Sequence, residues 1–322
     1  MKRKNIFKLL TFVVAAALSS CGGGAQQPFN VAAQFDAEKY DDRLNLFVVA
    51  DGGRNGFYEQ KSVAQQMGEI AEIVEPEVII SAGDTHHFDG VESVGDPLWI
   101  SNFEDIYAHP ELMVSWYPAL GNHEYRGNTQ AVLDYSNVSR RWVMPSRYYT
   151  TVFDEAGTTV RLVILDTPPL IDKYRNDPET YPDAIKQDME AQLQWADSVL
   201  MASKEDWTIV VGHHPVYAYT TKNEQERIDM QQRVDPILRK HSVDMYICGH
   251  IHSFQHLRSE DCNIDYVVNS SASLARDVEE IPQTQFCSNR EGFLILSADS
   301  DDLEAMMVDY NGELIYTVNR TR

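Results

Sequence analysis

Apolar positions along this chain follow two rhythms. Nearly unbroken runs at 44–50, 77–81, 161–166, 207–211 and 243–248 predict strands buried on both faces, because neither side of such a strand carries a polar stripe. A further run, 112–120, leads into a turn at Gly121. Between the runs the period lengthens to that of a helix. Val63, Met67, Ile70 and Val74 share one face over 61–74, and Ile185, Met189, Leu193, Ala196 and Leu200 share one over 183–201. A third helix is predicted over 228–239, disturbed by Pro236, which lacks an N–H and crowds the preceding turn. Later come shorter strands at 266–268, 292–297, 305–310 and 314–318, the last pair joined by Asn311-Gly312, a strong hairpin-turn signal. Strands alternating with helices imply an α/β layer structure, and the closing run of strands suggests a second sheet packed on the first.

The first twenty residues stand apart. Lys2, Arg3, Lys4 and Lys8 precede an apolar run, 9–18, which is too short for a comfortable membrane span and reads as a secretory signal. It ends in Leu18-Ser19-Ser20-Cys21, which resembles a bacterial lipoprotein box and implies that Cys21 becomes the lipidated mature N-terminus. The expected organisation is a signal peptide at 1–20, lipidated Cys21 with a flexible tether at 21–40, and one large domain at 41–322. The expected location is the bacterial cell envelope, facing the periplasm or the surface, with the membrane contacted through the N-terminal lipid. Lys plus Arg total 27 and Asp plus Glu 49, so the formal charge is 27 − 49 = −22. Such a surface repels nucleic acid at long range, and it would also repel a phosphate ester unless a local cation dominates. Of the four cysteines, Cys248 lies in an apolar run and reads as a buried thiol, while export makes a disulfide between Cys262 and Cys287 possible.

Candidate chemistry collects where the apolar runs stop. Asp51 follows Val-Val-Ala; Asp84 closes Ile-Ile-Ser-Ala-Gly; Asn122 follows Ala-Leu-Gly; His213 follows Ile-Val-Val-Gly; His250 and His252 follow Ile-Cys-Gly. Ligands in α/β folds gather at the carboxyl ends of strands. Carboxylate, amide and imidazole are the donor types that hold two hard-to-borderline metal ions, and two such ions clamp a phosphoryl group and activate water. A single buried histidine is more often a satisfied core residue; a His-x-His pair after a strand, alongside four other ligands, points to metal.

The ordered segments Asp51-Gly-Gly, Gly83-Asp84, Gly121-Asn122-His123-Glu124, Gly212-His213-His214-Pro215 and Gly249-His250-Ile251-His252 resemble the calcineurin-like metallophosphoesterases, within them the short, tartrate-resistant branch of the purple acid phosphatases. Phe103-Glu-Asp, Tyr135-Ser, Arg141-Trp142 and Pro145-Ser146 add to the likeness. The resemblance implies a four-layer β-sandwich of two mixed sheets flanked by helices. It also implies two metal ions (Fe with Zn, Mn or Fe). Asp51 and His252 would serve the first ion, Asn122, His213 and His250 the second, with Asp84 bridging. In the family a hydroxide held by the metal pair attacks phosphorus in line, and the residue matching His123 holds the phosphate and protonates the leaving oxygen. Asn122, His123 and His214 are the expected substrate-binding residues, and His123 and Asp84 the catalytic ones.

Two departures matter. Where the coloured enzymes carry an iron-binding tyrosine, three residues after the bridging aspartate, this chain has His87; other relatives place a histidine two residues after the first aspartate, where this chain has Gly53. His87 is therefore expected to complete the first metal; the plainer alternative is that one of His86 and His87 is a ligand and the other lies at the surface or faces substrate. No histidine lies between His214 and His241, so the phosphate-facing cation is left to His214 or Lys222. The expected function is an envelope-anchored, monomeric phosphatase acting on small phosphomonoesters, with a phosphodiesterase or nucleotidase as the rival on the same site and a non-catalytic surface-binding lipoprotein as the remoter one.

Overall fold

A computed structural model describes residues 34–221 and 224–322. The leader, Cys21 and Lys222 lie outside the described residues. In chain order the strands are β1 (Leu44–Val49), β2 (Val78–Ser81), β3 (Ser115–Pro118), β4 (Tyr149–Glu155), β5 (Thr158–Ile164), β6 (Trp207–Val211), β7 (Met245–Cys248), β8 (Phe254–Leu257), β9 (Asp265–Val268), β10 (Thr284–Ser288), β11 (Gly292–Ala298), β12 (Asp302–Asp309) and β13 (Leu314–Thr321). The helices are α1 (Ala37–Tyr40), α2 (Gln60–Val74), α3 (Thr129–Asp134), α4 (Asp172–Arg175), α5 (Met189–Ala202), α6 (Glu224–Arg233) and α7 (Asp235–Lys240).

The strands form two mixed sheets. One runs β13-β12-β11-β1-β2-β3 and the other β10-β8-β9-β7-β6-β5-β4. β1, β2 and β3 are parallel to one another, as are β5, β6, β7 and β9. Among them β1, β2 and β7 are buried along their whole length, as their apolar runs predict, since parallel strands are covered on both faces. The closing strands do not build a separate sheet. β11 pairs antiparallel with β1, Leu44 opposite Ala298, so the tail widens the first sheet and the middle of the chain supplies the second. No local pattern encodes a pairing between segments that far apart in sequence.

Some element boundaries also differ from the sequence pattern. The 183–201 periodicity contains only one true helix, α5, because Asp188 accepts a hydrogen bond from the Ala191 N–H at 3.0 Å and starts the helix there. Ile185, expected on its buried face, is exposed in a preceding 3-10 turn. The 228–239 segment divides into α6 and α7 ahead of Pro236, which sits in the first turn of α7, where a missing N–H costs nothing. β4, β8 and β10 carry too few consecutive apolar residues to stand out from sequence. Cys248, Cys262 and Cys287 are all free thiols, so the Cys262–Cys287 disulfide is not formed.

Beside β3 lies an aromatic cluster that accounts for Phe103, Tyr135 and Arg141-Trp142. Tyr135 stacks on Trp99 with centroids 3.5 Å apart, Trp142 meets Trp99 and Phe103 edge-on at 5.3 and 5.0 Å, and the Arg141 guanidinium lies 4.3 Å over Phe103 while bonding Glu104. Trp142 also donates its indole N–H to the Val132 carbonyl. Trp142→Ala is expected to cost about 3–5 kcal/mol, the range for deleting a buried large aromatic, read as a lower denaturant midpoint with an unchanged slope.

Candidate metal centre

The carboxyl ends of β1, β2, β3, β6 and β7 converge where the two sheets meet. Each delivers its predicted residue after one sharp turn. Asp51, Asp84, His250 and His252 all have left-handed backbones, with φ of 54, 53, 70 and 63°. Residues with a side chain rarely adopt that region, and such strain persists only where the surroundings impose it. The surroundings here are explicit. The Asp51 N–H donates to the Gly83 carbonyl, and the Asp51 carbonyl accepts from the hydroxyls of Ser271 and Ser273. The buried Glu124 carboxylate accepts from the N–H groups of Asp84, Gly121 and His86, tying the β2 loop to the β3 loop. Gly53 must be glycine: a Cβ there would press on the Thr85 carbonyl and on His86 Cα, 2.6 Å away.

Within this frame the side chains face one another. His213 Nε2 lies 3.1 Å from Asp84 Oδ2 and 3.9 Å from Asp51 Oδ1; His252 Nε2 lies 3.3 Å from Asp51 Oδ1. His87 Nε2 and His123 Nε2 lie 3.6 and 3.8 Å from Asp84 Oδ2. Three of these rings have their tautomer set from behind. Nδ1–H donates to the Ala82 carbonyl in His213, to the Leu274 carbonyl in His252 and to the Phe88 carbonyl in His123. A carbonyl only accepts, so the proton sits on Nδ1 and the Nε2 lone pair points at the carboxylates. Lone pair against lone pair is repulsive unless a positive charge lies between.

The orphaned atoms make the same point. Asp51 Oδ1, Asn122 Oδ1, both ring nitrogens of His87 and Nε2 of His213 are buried without a hydrogen-bond partner, whereas buried polar atoms are nearly always paired. Electrostatics agree. Burial alone would lower the His213 pKa, but the Asp84 and Asp51 carboxylates raise it to about 10. Burial pushes Asp51 up, but His252 and then His213 hold it down at about 2; Asp84, likewise raised by burial, is drawn well below its usual value by His213 and His123. The pocket demands cations, and a proton on His213 is a weak substitute for one. Asp51, His87 and His252 offer one set of ligand atoms, Asp51, Asp84 and His213 a second, Asp84, His87 and His123 a third, and His213, His214 and His250 a fourth. The donor set therefore fits metal ions.

The expected residues do not all land alike. His86 is neither surface-lying nor facing substrate. It is buried edge-on against Trp99 at 4.4 Å, and burial lowers its pKa to about 3. Its neighbour His87 turns into the pocket, also lowered to about 3 by burial, and so presents neutral nitrogens. His214 is fully buried with both ring nitrogens engaged, Nδ1 by the Thr167 hydroxyl and Nε2 by the Tyr174 hydroxyl, each at 2.8 Å. Burial, followed by the His250 charge, pushes its pKa well down, so as placed it offers substrate neither a free edge nor a charge. Two residues were missed. Arg54 lies over the exposed Phe88 ring at 4.8 Å, on the loop next to His87 and His123, and its Nε is buried and unbonded. Glu226 of α6 takes the His250 Nε2–H at 2.9 Å. Neither stands out in sequence, since both are charged residues among polar neighbours.

Comparison with known proteins is consistent with this geometry. A family profile described as calcineurin-like phosphoesterase matches residues 44–254. Purple acid phosphatase 3 of Arabidopsis thaliana is 31% identical over 88% of this chain and 79% of its own length. Tartrate-resistant acid phosphatase type 5 of Oryctolagus cuniculus is 33% identical over 65% of each chain. Among solved structures, GAP50, the anchor in the inner membrane complex of Plasmodium, superposes with a TM-score of 0.74 at 22% identity, over 87% of this chain and 89% of its own, and so shares the fold.

Metal removal provides the test of the pocket. Chelator-treated protein is expected to melt at a lower temperature than protein supplied with Zn²⁺ or Mn²⁺, with about 2.7 kcal/mol gained per site at a hundredfold excess over Kd. A melting temperature indifferent to both chelator and metal would refute the centre.

Proposed function

The chain belongs to the calcineurin-like phosphoesterases and is a phosphoric ester hydrolase of the purple acid phosphatase type; from that premise we propose that it hydrolyses phosphomonoesters at a dinuclear site. Asp51, His87 and His252 would hold the first ion, Asn122, His213 and His250 the second, and Asp84 would bridge. The observation that carries the assignment is the confrontation of carbonyl-fixed imidazole lone pairs with two buried carboxylates. Ions at such a site supply Lewis acidity toward phosphoryl oxygens and lower the pKa of water.

The chain's own groups do the rest. His123 is oriented through Nδ1 by the Phe88 carbonyl and held by its backbone N–H on Asp84 Oδ1 at 2.9 Å, which aims Nε2 into the pocket; as an imidazolium, with a second proton on Nε2, it is the group that hands that proton to the leaving oxygen. Arg54 is the cation we place beside the substrate, in the role that sequence left to His214 or Lys222. No nucleophilic side chain is required. With His87 in place of a tyrosine, imidazole suits Zn, Mn or Fe alike, and no tyrosinate charge-transfer band arises. At the other end of the chain, Cys21 would carry the lipid that anchors the enzyme to the envelope; no helix among the described residues is long and apolar enough to cross a membrane.

Asp84→Asn is expected to abolish hydrolysis of an aryl phosphate, and Arg54→Ala to raise KM about tenfold with little change in kcat, the loss of roughly one charge-assisted hydrogen bond. The parent should hydrolyse aryl monoesters faster than diesters and show no visible charge-transfer band when loaded with iron. Faster diester turnover would favour the phosphodiesterase reading, and a purple iron form would refute the His87 assignment. For the anchor, Cys21→Ser should move the protein from the membrane fraction to the soluble one, and an unchanged distribution would refute it.

A further inference from the structure

Behind His250 lies a buried carboxylate that the family motifs do not include. Glu226 sits in the first turn of α6, 1% exposed, in the stretch of chain that follows His213-His214-Pro215. Its two oxygens are shared out. Oε2 faces His250 Nε2 at 2.9 Å, while Oε1 accepts from the Tyr174 hydroxyl and the Lys173 ammonium, both at 2.7 Å. Tyr174 has spent its proton on Glu226, so its oxygen accepts from His214 Nε2–H, and His214 Nδ1 in turn accepts from the Thr167 hydroxyl. Every hydrogen bond in this chain runs toward one carboxylate.

The consequence falls on His250. Its neighbours in the centre, His213 and His252, are held through Nδ1 by backbone carbonyls and present Nε2. His250 is held the opposite way: a carboxylate only accepts, so Nε2 carries the proton and Nδ1 is the ligating nitrogen. The backbone explains why a side chain is needed. The His250 N–H is committed to Asp51 Oδ2 at 2.8 Å with φ at 70°, so the ring leaves the chain in a direction fixed by that turn. We propose that Glu226 is the positioning residue of His250, fixing its tautomer and ring orientation toward the second metal ion. This rests on the dinuclear reading of the site. A carboxylate behind a ligating histidine typically contributes 10- to 100-fold in metal affinity.

The test is metal affinity, read apart from activity. Full-length parent, Glu226→Ala, Glu226→Gln and Lys173→Met are stripped and titrated with Zn²⁺ against a chromophoric chelator, and the melting temperature of each metal-free form is recorded. The parent is expected to bind two ions. Glu226→Ala should bind one of them 10- to 100-fold more weakly with the other unchanged. Glu226→Gln, which keeps an acceptor but not the charge, should fall between, and Lys173→Met, which leaves the His250 contact intact, should match the parent. Should the alanine variant fail to fold, the isosteric glutamine variant decides. Parent-like affinity in a folded Glu226 variant would overturn the proposal and leave the dinuclear reading standing. An equal loss in Lys173→Met would also overturn it, by assigning the effect to general packing. A parent that binds fewer than two ions would overturn both.

Discussion

Two carboxylates, Asp51 and Asp84, are held out of water and faced by imidazole lone pairs, and the site's architecture follows from keeping them there. Burying a charge without a partner is among the costliest things a fold can do. Here the usual remedy, an N–H donor on the facing ring, is denied to His213 and His252 in their neutral forms, because the one proton of each is tied to Ala82 or Leu274. The raised pKa of His213 and the lowered pKa of Asp84 are two views of one deficit of positive charge. A metal ion held by these residues would meet that deficit in place of the proton, which would couple metal binding to pH and to stability.

Such a confrontation must be enforced by the backbone. Four of the converging residues adopt left-handed conformations, and Glu124 binds the loops together through three N–H groups. Burial and the adjacent Asp84 raise the Glu124 pKa to about 7. Glu124 is thus itself costly to keep buried, and its hydrogen bonds offset part of that cost. The aromatic cluster of Trp99, Tyr135 and Trp142 supports the same loops from the far side, and the edge of His86 rests on it. The supporting motifs are therefore a rigid bed for the turn that delivers His87.

Around the centre the chain is overwhelmingly acidic, yet substrate for this enzyme class is an anion. A metal pair bound by these residues would provide most of the local positive potential. Arg54 adds to it at the mouth, packed on Phe88 beside His123. Behind the centre, Glu226 collects the hydrogen bonds of His250, Tyr174 and Lys173, so His250 is backed by an acid, whereas His213 and His252 are backed by backbone carbonyls.

Much of this was legible in the sequence. Apolar runs located the parallel strands, and ligand residues at their ends located the site, because a strand buried on both faces has nowhere else to put a polar side chain. The Asn311-Gly312 turn, Pro236 and the ordered motifs were likewise local statements. Other features were decided only in three dimensions. Which of His86 and His87 turns inward depends on the Trp99 edge against one and the carboxylates against the other. The withdrawal of His214 depends on Thr167 and Tyr174, and the role of Glu226 on the docking of α6. Pairing of β11 with β1 joins segments some 250 residues apart. Sequence fixes which donors are present and roughly where a strand ends; which atom of a ring carries the proton, and what that ring faces, is set by neighbours that only the folded chain brings within a few ångströms.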